Sequence, residues 1–491
     1  MKSRTIIGFV LIILLGIAVP TLAGQAPFAA SAPDIPISSH DRVYTADQFS
    51  NTVSVHNPQT NQLLGIIRLG ETLTDNLSPL YKGQLLVHGI GFSPDYRTLA
   101  VVSIGSNSVA FIDTQTNQVK HITYIGRSPH EAFFTPDGKE VWVTVRGEDY
   151  VSVLDGQTYE EKLQIPVGNG PGMTIFRPDG KYGFVCSSFT PATKVIKVAT
   201  HQIVATVPQA SPFCPNIAAT PDGKQVWFTL KDTGKTQVFS AKPPFNIIST
   251  LDTGAITNHV NFARNQNGQF AYVTVGGENV VKVYTTTNNP TLVATIPVGD
   301  LPHGLWASGN GTRIYIALEN GTGMMTINTV TNQVIATTPG GQSSQALVYI
   351  PNAVPQGDGL ANLEPLGNSG LAAHVVMGVP RASPEQSVTT VSINNQGLID
   401  LVEAAVTGLQ PKQSYQLVLV EHATSPYGEI QPLETFQTNP AGAAIVTTAG
   451  PIKRIVADNA EMQRRYLAIV PFKNGDQGTP VQVQLGLKPA W

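Results

Sequence analysis

At 491 residues, with 45 glycines, 36 prolines and only 13% of side chains charged, the chain is too long for one ordinary core and too poor in charge for a helical bundle or a disordered polymer. Its net charge of −3 supplies no basic field, so nucleic acid is not an expected partner. What remains is an all-β protein rich in turns, built as two or three domains or as one large repeat.

Residues 1–23 open with Lys2 and Arg4, run apolar from Ile6 to Val19 and end in Thr21, Leu22 and Ala23, with small residues where a signal peptidase cuts. The run is shorter than the roughly 20 apolar residues that cross a bilayer comfortably, so it reads as a cleaved leader rather than an anchor. No later stretch is apolar enough to span, and the mature chain is expected in the periplasm, at the cell surface or in the medium. Cleavage removes two basic residues and no acidic one, leaving a net charge of −5. Residues 24–40 form an N-terminal extension.

From residue 41 to 353 the dominant signal is self-similarity. Seven segments each carry an apolar strand running into a tight turn: HGIGFSPDY from His88, HEAFFTPDG from His130, GMTIFRPDG from Gly172, PNIAATPDG from Pro215, HVNFARNQNG from His259, HGLWASGNG from His303 and QALVYIPNA from Gln345. The turn glycines Gly138, Gly180, Gly223, Gly268 and Gly311 recur at intervals of 42, 43, 45 and 43 residues, a period that suits one four-stranded propeller blade. An alternating strand follows each turn, as in EVWVTV from Glu140, then a third strand, a Thr/Asn turn such as TQTNQ from Thr114, and a fourth strand. The first repeat, Arg42 to Gly70, has the last three strands and no first strand, whereas Gln345 to Ile350 is a first strand with nothing after it. Pairing the two predicts a seventh blade and a closed ring without free edges. Glu71 to Gln84 is then an insertion, a candidate lid over one face.

RVYTADQFSNTVSVHNPQTNQLLGIIRLG and AYVTVGGENVVKVYTTTNNPTLVATIPVGDLPHGLWAS resemble the YVTN β-propeller repeats of exported and surface-layer proteins, with Ala271-Tyr272-Val273-Thr274 carrying most of the name motif. The resemblance covers about residues 41 to 352. It implies the scaffold; it does not imply an activity.

Residues 354–370 lose periodicity and read as a linker. The short alternating segments of 371–491 predict a small sandwich of the immunoglobulin or fibronectin kind, with Leu398 to Val406 as a strand, serving as spacer, docking surface or assembly contact.

First strands of a propeller line its channel, so His88, His130, His259, His303 and Gln345, aligned at the start of theirs, are the candidate ligand-binding ring. Neutral imidazoles there suit a borderline metal or acid–base work, although no motif specifies a cofactor. The loop after each second strand should bring Arg146, Glu148, Glu278 and Glu319 to the same face. His259 with Glu278 and His303 with Glu319 form the candidate metal set, and His130, Glu131, Arg146, Glu278 and Glu319 the candidate catalytic set. His130-Glu131 with Arg146 is similar in residue type to lactonases and cycloisomerases of this architecture. Gly172, Pro215 and Gln345 interrupt the histidine ring, unlike the copper domain of nitrous oxide reductase. Cys186 and Cys214 approach the same face from adjacent blades, as a disulfide, as two buried thiols or as paired metal ligands. Three functions follow: a binding or scaffold protein offering a funnel to a small molecule or a cell-surface partner, a lactonase-like or metal-dependent enzyme, and a surface-layer component.

Overall fold

A computed structural model describes residues 36–71, 83–397, 399–457 and 464–488. The leader expected at 1–23 and most of the insertion expected at 71–84 lie outside the described residues. Among those residues no helix is long and apolar enough to cross a membrane.

Seven four-stranded antiparallel sheets make a seven-bladed propeller. Blade 1 is closed as expected: Ser344–Ile350 pairs with Arg42–Asp47, which continues to Thr52–Asn57 and Gln62–Arg68. Blades 2 to 7 begin with the inner strands Val87–Phe92, Pro129–Phe134, Pro171–Phe176, Ile217–Ala219, Thr257–Asn265 and Pro302–Ala307. These strands and the second strands beside them are almost wholly buried, whereas outer strands such as Glu161–Pro166 show the alternation of a half-exposed edge.

Two repeated contacts fasten one blade to the next. An aromatic ring on a second strand packs edge-on against the inner strand of the following blade, Trp142 on Phe176 at 5.1 Å and Trp227 on Phe262 at 5.9 Å, while Tyr315 stacks on Tyr349 at 5.8 Å. Such pairs contribute about 0.5–1.5 kcal/mol beyond their buried area. A threonine on the same strand donates to an inner-strand carbonyl of the next blade: Thr144 to Gly172 at 3.0 Å and Thr274 to His303 at 2.7 Å, with Thr229 bonding Asn258 likewise.

The ring is latched at Asp47. Its fully buried carboxylate accepts from Ser344 and Ser54, both at 2.6 Å, from Thr45 at 2.9 Å and from Thr52 at 3.1 Å, so it ties both sides of the closing pair together. Cys186 and Cys214 form a disulfide between blade 4 and the approach to blade 5, with Cα atoms 6.0 Å apart.

Residues 354–370 do not dangle. They run from the Pro-Asp-Gly side of the ring, where Asn117 Nδ2 of blade 2 donates to Gly359 O at 2.9 Å, up the outside of blade 1, where Glu364 pairs with Ile66 and Arg68 meets Glu364 at 2.9 Å. This strap delivers the C-terminal domain to the histidine face. There the strands expected as a sandwich all join one antiparallel sheet, in the order 430–437, 414–420, 466–473, 482–488, 372–378, 389–395, 400–406 and 444–450. Its edge strands lie against each other, making a nearly closed barrel around Val375, Val402, Leu417 and Ile469. A curled single sheet buries one face as completely as two stacked sheets, so strand patterning alone does not separate the two.

Asp47→Ala leaves four hydroxyls to find new partners at the closing seam and is expected to destabilise the protein by about 3 kcal/mol. Ser344→Ala, which removes one bond, should cost about 1 kcal/mol. Urea unfolding of the two variants checks this, and equal costs would remove Asp47 as the latch.

Candidate functional site at the capped funnel

The first residue of each inner strand to reach the channel is His88, His130, Gly172, Pro215, Asn258, His303 or Gln345. The strand register sets this list: Ile90, Ala132, Val260 and Leu305 pair with Val101, Val143, Val273 and Ile316, so the place of His130 falls in blade 6 on Asn258. His259 therefore does not share the place of the other three histidines, as its alignment suggested. It sits one residue on, in the register of Glu131, because the HVNFAR segment enters its turn with different spacing from the Pro-Asp-Gly repeats.

All four imidazoles nevertheless gather at the axis. His88 and His130 have ring centroids 4.5 Å apart, as do His259 and His303, and His88 and His303 are 6.2 Å apart. His130 Nδ1 donates to Gly172 O at 2.7 Å and His303 Nδ1 to Gln345 O at 2.6 Å, which leaves the lone pair of each neutral ring on Nε2. His88 Nδ1 lies 2.8 Å from Gln48 Oε1 and its Nε2 2.9 Å from His130 Nε2. His259 Nδ1 lies 3.2 Å from Asn216 Nδ2, and its Nε2 is buried without a partner. Burial, reinforced by Arg146, lowers the His88 pKa to about 3, and burial holds His130, His259 and His303 well below the ordinary imidazole value.

A second ring comes from the first residue after each second strand, Gln48, Ile104, Arg146, Ser188, Lys231, Gly276 and Glu319. Five of these seven line the cavity with His88, His130, His303, Pro215 and Gln345. Arg146 stands 5.0 Å over the Phe213 ring, and burial lowers its pKa to about 10. Glu319 Oε2 lies 3.8 Å from His303 Nε2. Glu278, by contrast, is two residues past the ring position: it pairs with Lys282 at 2.7 Å, is 41% exposed, and is not brought to His259. Glu148 likewise turns outward to Arg127 at 2.8 Å.

The barrel roofs this funnel. Gln437, Asn439, Ala443, Ala444 and Ile445 close a cavity of about 480 Å3. Ile256 and Leu301 pack on Ala405 and Ala443, Asn320 Nδ2 donates to Thr390 O at 3.1 Å, Gln396 Nε2 to Phe49 O at 2.8 Å, and Lys488 pairs with Asp300. Through this roof Glu403 reaches Glu319. Burial first and repulsion from Glu319 second push its pKa well above the usual carboxyl range, so Glu403 is held protonated.

Lys231, Gln48 and Glu403 were not among the candidates. Lys231 and Gln48 were findable, because they hold the same repeat position as Arg146 and Glu319. Glu403 carried only the weaker signal of a carboxylate in the middle of a mostly apolar strand, since nothing in a sequence says that another domain will meet the funnel.

Residues 125–333 match the family described as lactonase, 7-bladed beta-propeller. No curated relative matches the chain. Among solved structures it is similar to Kuenenia stuttgartiensis hydrazine synthase, at 20% identity over 54% of this chain and 90% of that one with a TM-score of 0.48. It is also similar to a functionally unknown protein from Desulfotomaculum acetoxidans, at 14% identity over 62% and 98% with a TM-score of 0.53. The fold is that of a seven-bladed propeller. At these identities the second structure supports that architecture and no activity, and neither comparison bears on the YVTN resemblance.

His56, His259 and His303 bind fewer protons folded than unfolded below about pH 6.5, so each contributes stability above that pH and loses it as the pH falls toward the folded value, which for His56 is about 3. Glu403 acts oppositely, stabilising below its unfolded value near 4.5 and losing this as the pH rises. His88, His130 and His374 are lowered in the same way and Asp47 and Glu131 raised like Glu403, so six imidazoles outweigh three carboxyls among the described residues, at up to about 1.4 kcal/mol per proton and pH unit. Urea midpoints are therefore expected to fall from pH 6.5 to 5, and a flat profile would contradict neutral burial.

Proposed function

We propose that this chain is an exported propeller enzyme that opens small anionic lactones inside the capped funnel. The observation that carries the reading is the placing of Arg146 and Lys231 on one roofed cavity without a carboxylate in ion-pair range of either among the described residues, beside the His303–Glu319–Glu403 group. Two cations in a partly desolvated site attract a negative group strongly and can stabilise a developing oxyanion without reorganising. The family match over 125–333 supports the same chemistry.

In this reading a water rests against His303 Nε2 and Glu319. His303 takes its proton as the oxygen attacks the ester carbonyl, and Lys231 and Arg146 hold the resulting oxyanion. The ring C–O bond then breaks, and Glu403, already protonated, gives its proton to the leaving alkoxide. The proton on His303 returns to Glu403, so lactone and water become a hydroxy acid with the protein unchanged. The roof narrows the access of solvent, which strengthens each of these interactions.

One observation favours a second reading, a binding protein for a small carboxylate: imidazoles whose pKa values are held so low are weak bases. Both readings put the ligand on the same cations. Purified full-length protein is expected to hydrolyse lactones bearing a carboxylate or phosphate, with Lys231→Met lowering kcat/KM by about 10²–10³ and Glu278→Gln leaving it unchanged. Saturable binding of the hydroxy acid without turnover, lost in Lys231→Met, would establish the binder instead.

A further inference from the structure

We infer that His88, His130 and Glu131 form a binding site for a divalent transition-metal ion of the zinc class at the axis of the propeller. The three donors lie within 4.8 Å of one another and all are buried. His130 Nδ1 is committed to a carbonyl, Gly172 O at 2.7 Å, and His88 Nδ1 faces Gln48 Oε1 at 2.8 Å. Metal-bound imidazoles almost always spend their second nitrogen in this way, on a carbonyl or carboxylate that fixes the ring's orientation. The consequence is that two Nε2 atoms, each left as an acceptor by its partner, face each other at 2.9 Å. Two lone pairs at that distance repel unless a cation stands between them. Zinc–nitrogen bonds of about 2.0–2.1 Å meeting at 90–109° put two ligand nitrogens roughly 2.9–3.4 Å apart, which accommodates the observed spacing.

Glu131 completes the set from the adjacent register position. Its carboxyl is buried at 2% exposure, and blade 2 makes room for it: a Cβ at Gly89 would stand 2.7 Å from Glu131 Oε2 and 2.1 Å from His130 O. A side chain at Gly89 would therefore displace the third donor. Two imidazoles and one carboxylate suit zinc, cobalt, nickel or iron rather than calcium or magnesium, which prefer oxygen. His88 and His130 also line the roofed cavity, so the remaining coordination positions open toward a bound small molecule. The ion would supply Lewis-acid polarisation there.

This site differs from one built on His259 and His303 and is read without turnover, so it stands or falls separately from the lactone reading. Full-length protein stripped with chelator is titrated with Co²⁺ followed by its visible absorption, and with Zn²⁺ in competition. One equivalent is expected to bind, and His130→Asn and Glu131→Gln should each weaken it by at least the roughly 10–100-fold that loss of an outer partner costs, with His259→Asn unchanged. Because substitutions at the axis can impair folding, X-ray absorption of the zinc-loaded wild-type protein supplies an independent reading, with two imidazole nitrogens and a carboxylate oxygen expected around the ion. Absence of one-equivalent binding, which would leave a shared proton between the two Nε2 atoms, overturns the site. So does binding lost in His259→Asn, or a first shell without two imidazoles.

Discussion

Everything at the funnel depends on the pairing of Ser344–Ile350 with Arg42–Asp47, a contact between strands some three hundred residues apart in sequence. An open array of six and a fraction blades would have two raw edges and no common axis. Closure converts the repeat period into a radius, and with it the first channel-facing residue of every inner strand arrives at one place. A buried aspartate is an unusual fastener for such a seam, because burial alone opposes its charge. Here four hydroxyl donors from both sides of the seam offset part of that opposition, so Asp47 is satisfied only when both strands are in register. The latch is consequently specific for the correct pairing as well as stabilising.

Much of this architecture was legible in the residues. The period near 43, the Pro-Asp-Gly turns and the complementary defects of the first and last repeats were enough to count blades and to close them. The limits arose where one residue of register matters. HVNFAR aligns His259 with the other histidines by identity, yet the strand pairing gives their place to Asn258, because the longer strands of the blade 6 hairpin shift the spacing. The same arithmetic separates Glu319, the first residue after its strand, from Glu278, two residues further and turned to Lys282. Residue type was a poorer guide than repeat position, and position alone would have found Lys231 and Gln48.

The C-terminal domain was the larger gap. Its strands were visible, but whether they stack as two sheets or curl as one is decided by how the edges meet, and its location is decided by the strap along blade 1. That strap is built from small local matches: an asparagine on backbone carbonyls, one bridge to Ile66 and one exposed ion pair. None of these has a sequence signature. Together they place a carboxyl from one domain against a carboxyl of another.

That juxtaposition changes what the funnel is. Without its roof, the imidazoles, the lysine and the arginine at the mouth would face water. With the barrel in place the rings are held neutral, Glu403 is held protonated, and the two cations share one small cavity with no carboxylate in ion-pair range of either among the described residues. Carrying such a set costs stability, because burial strips its charged and polar groups of hydration that few partners replace. A fold that only needed shape would fill the mouth with apolar side chains, as it does at the far end of the inner strands, where Phe92 packs edge-on against Trp306. The retained polarity at the mouth and the apolar packing below it divide the channel into a part that, on the proposed reading, meets the ligand and a part that holds the ring together.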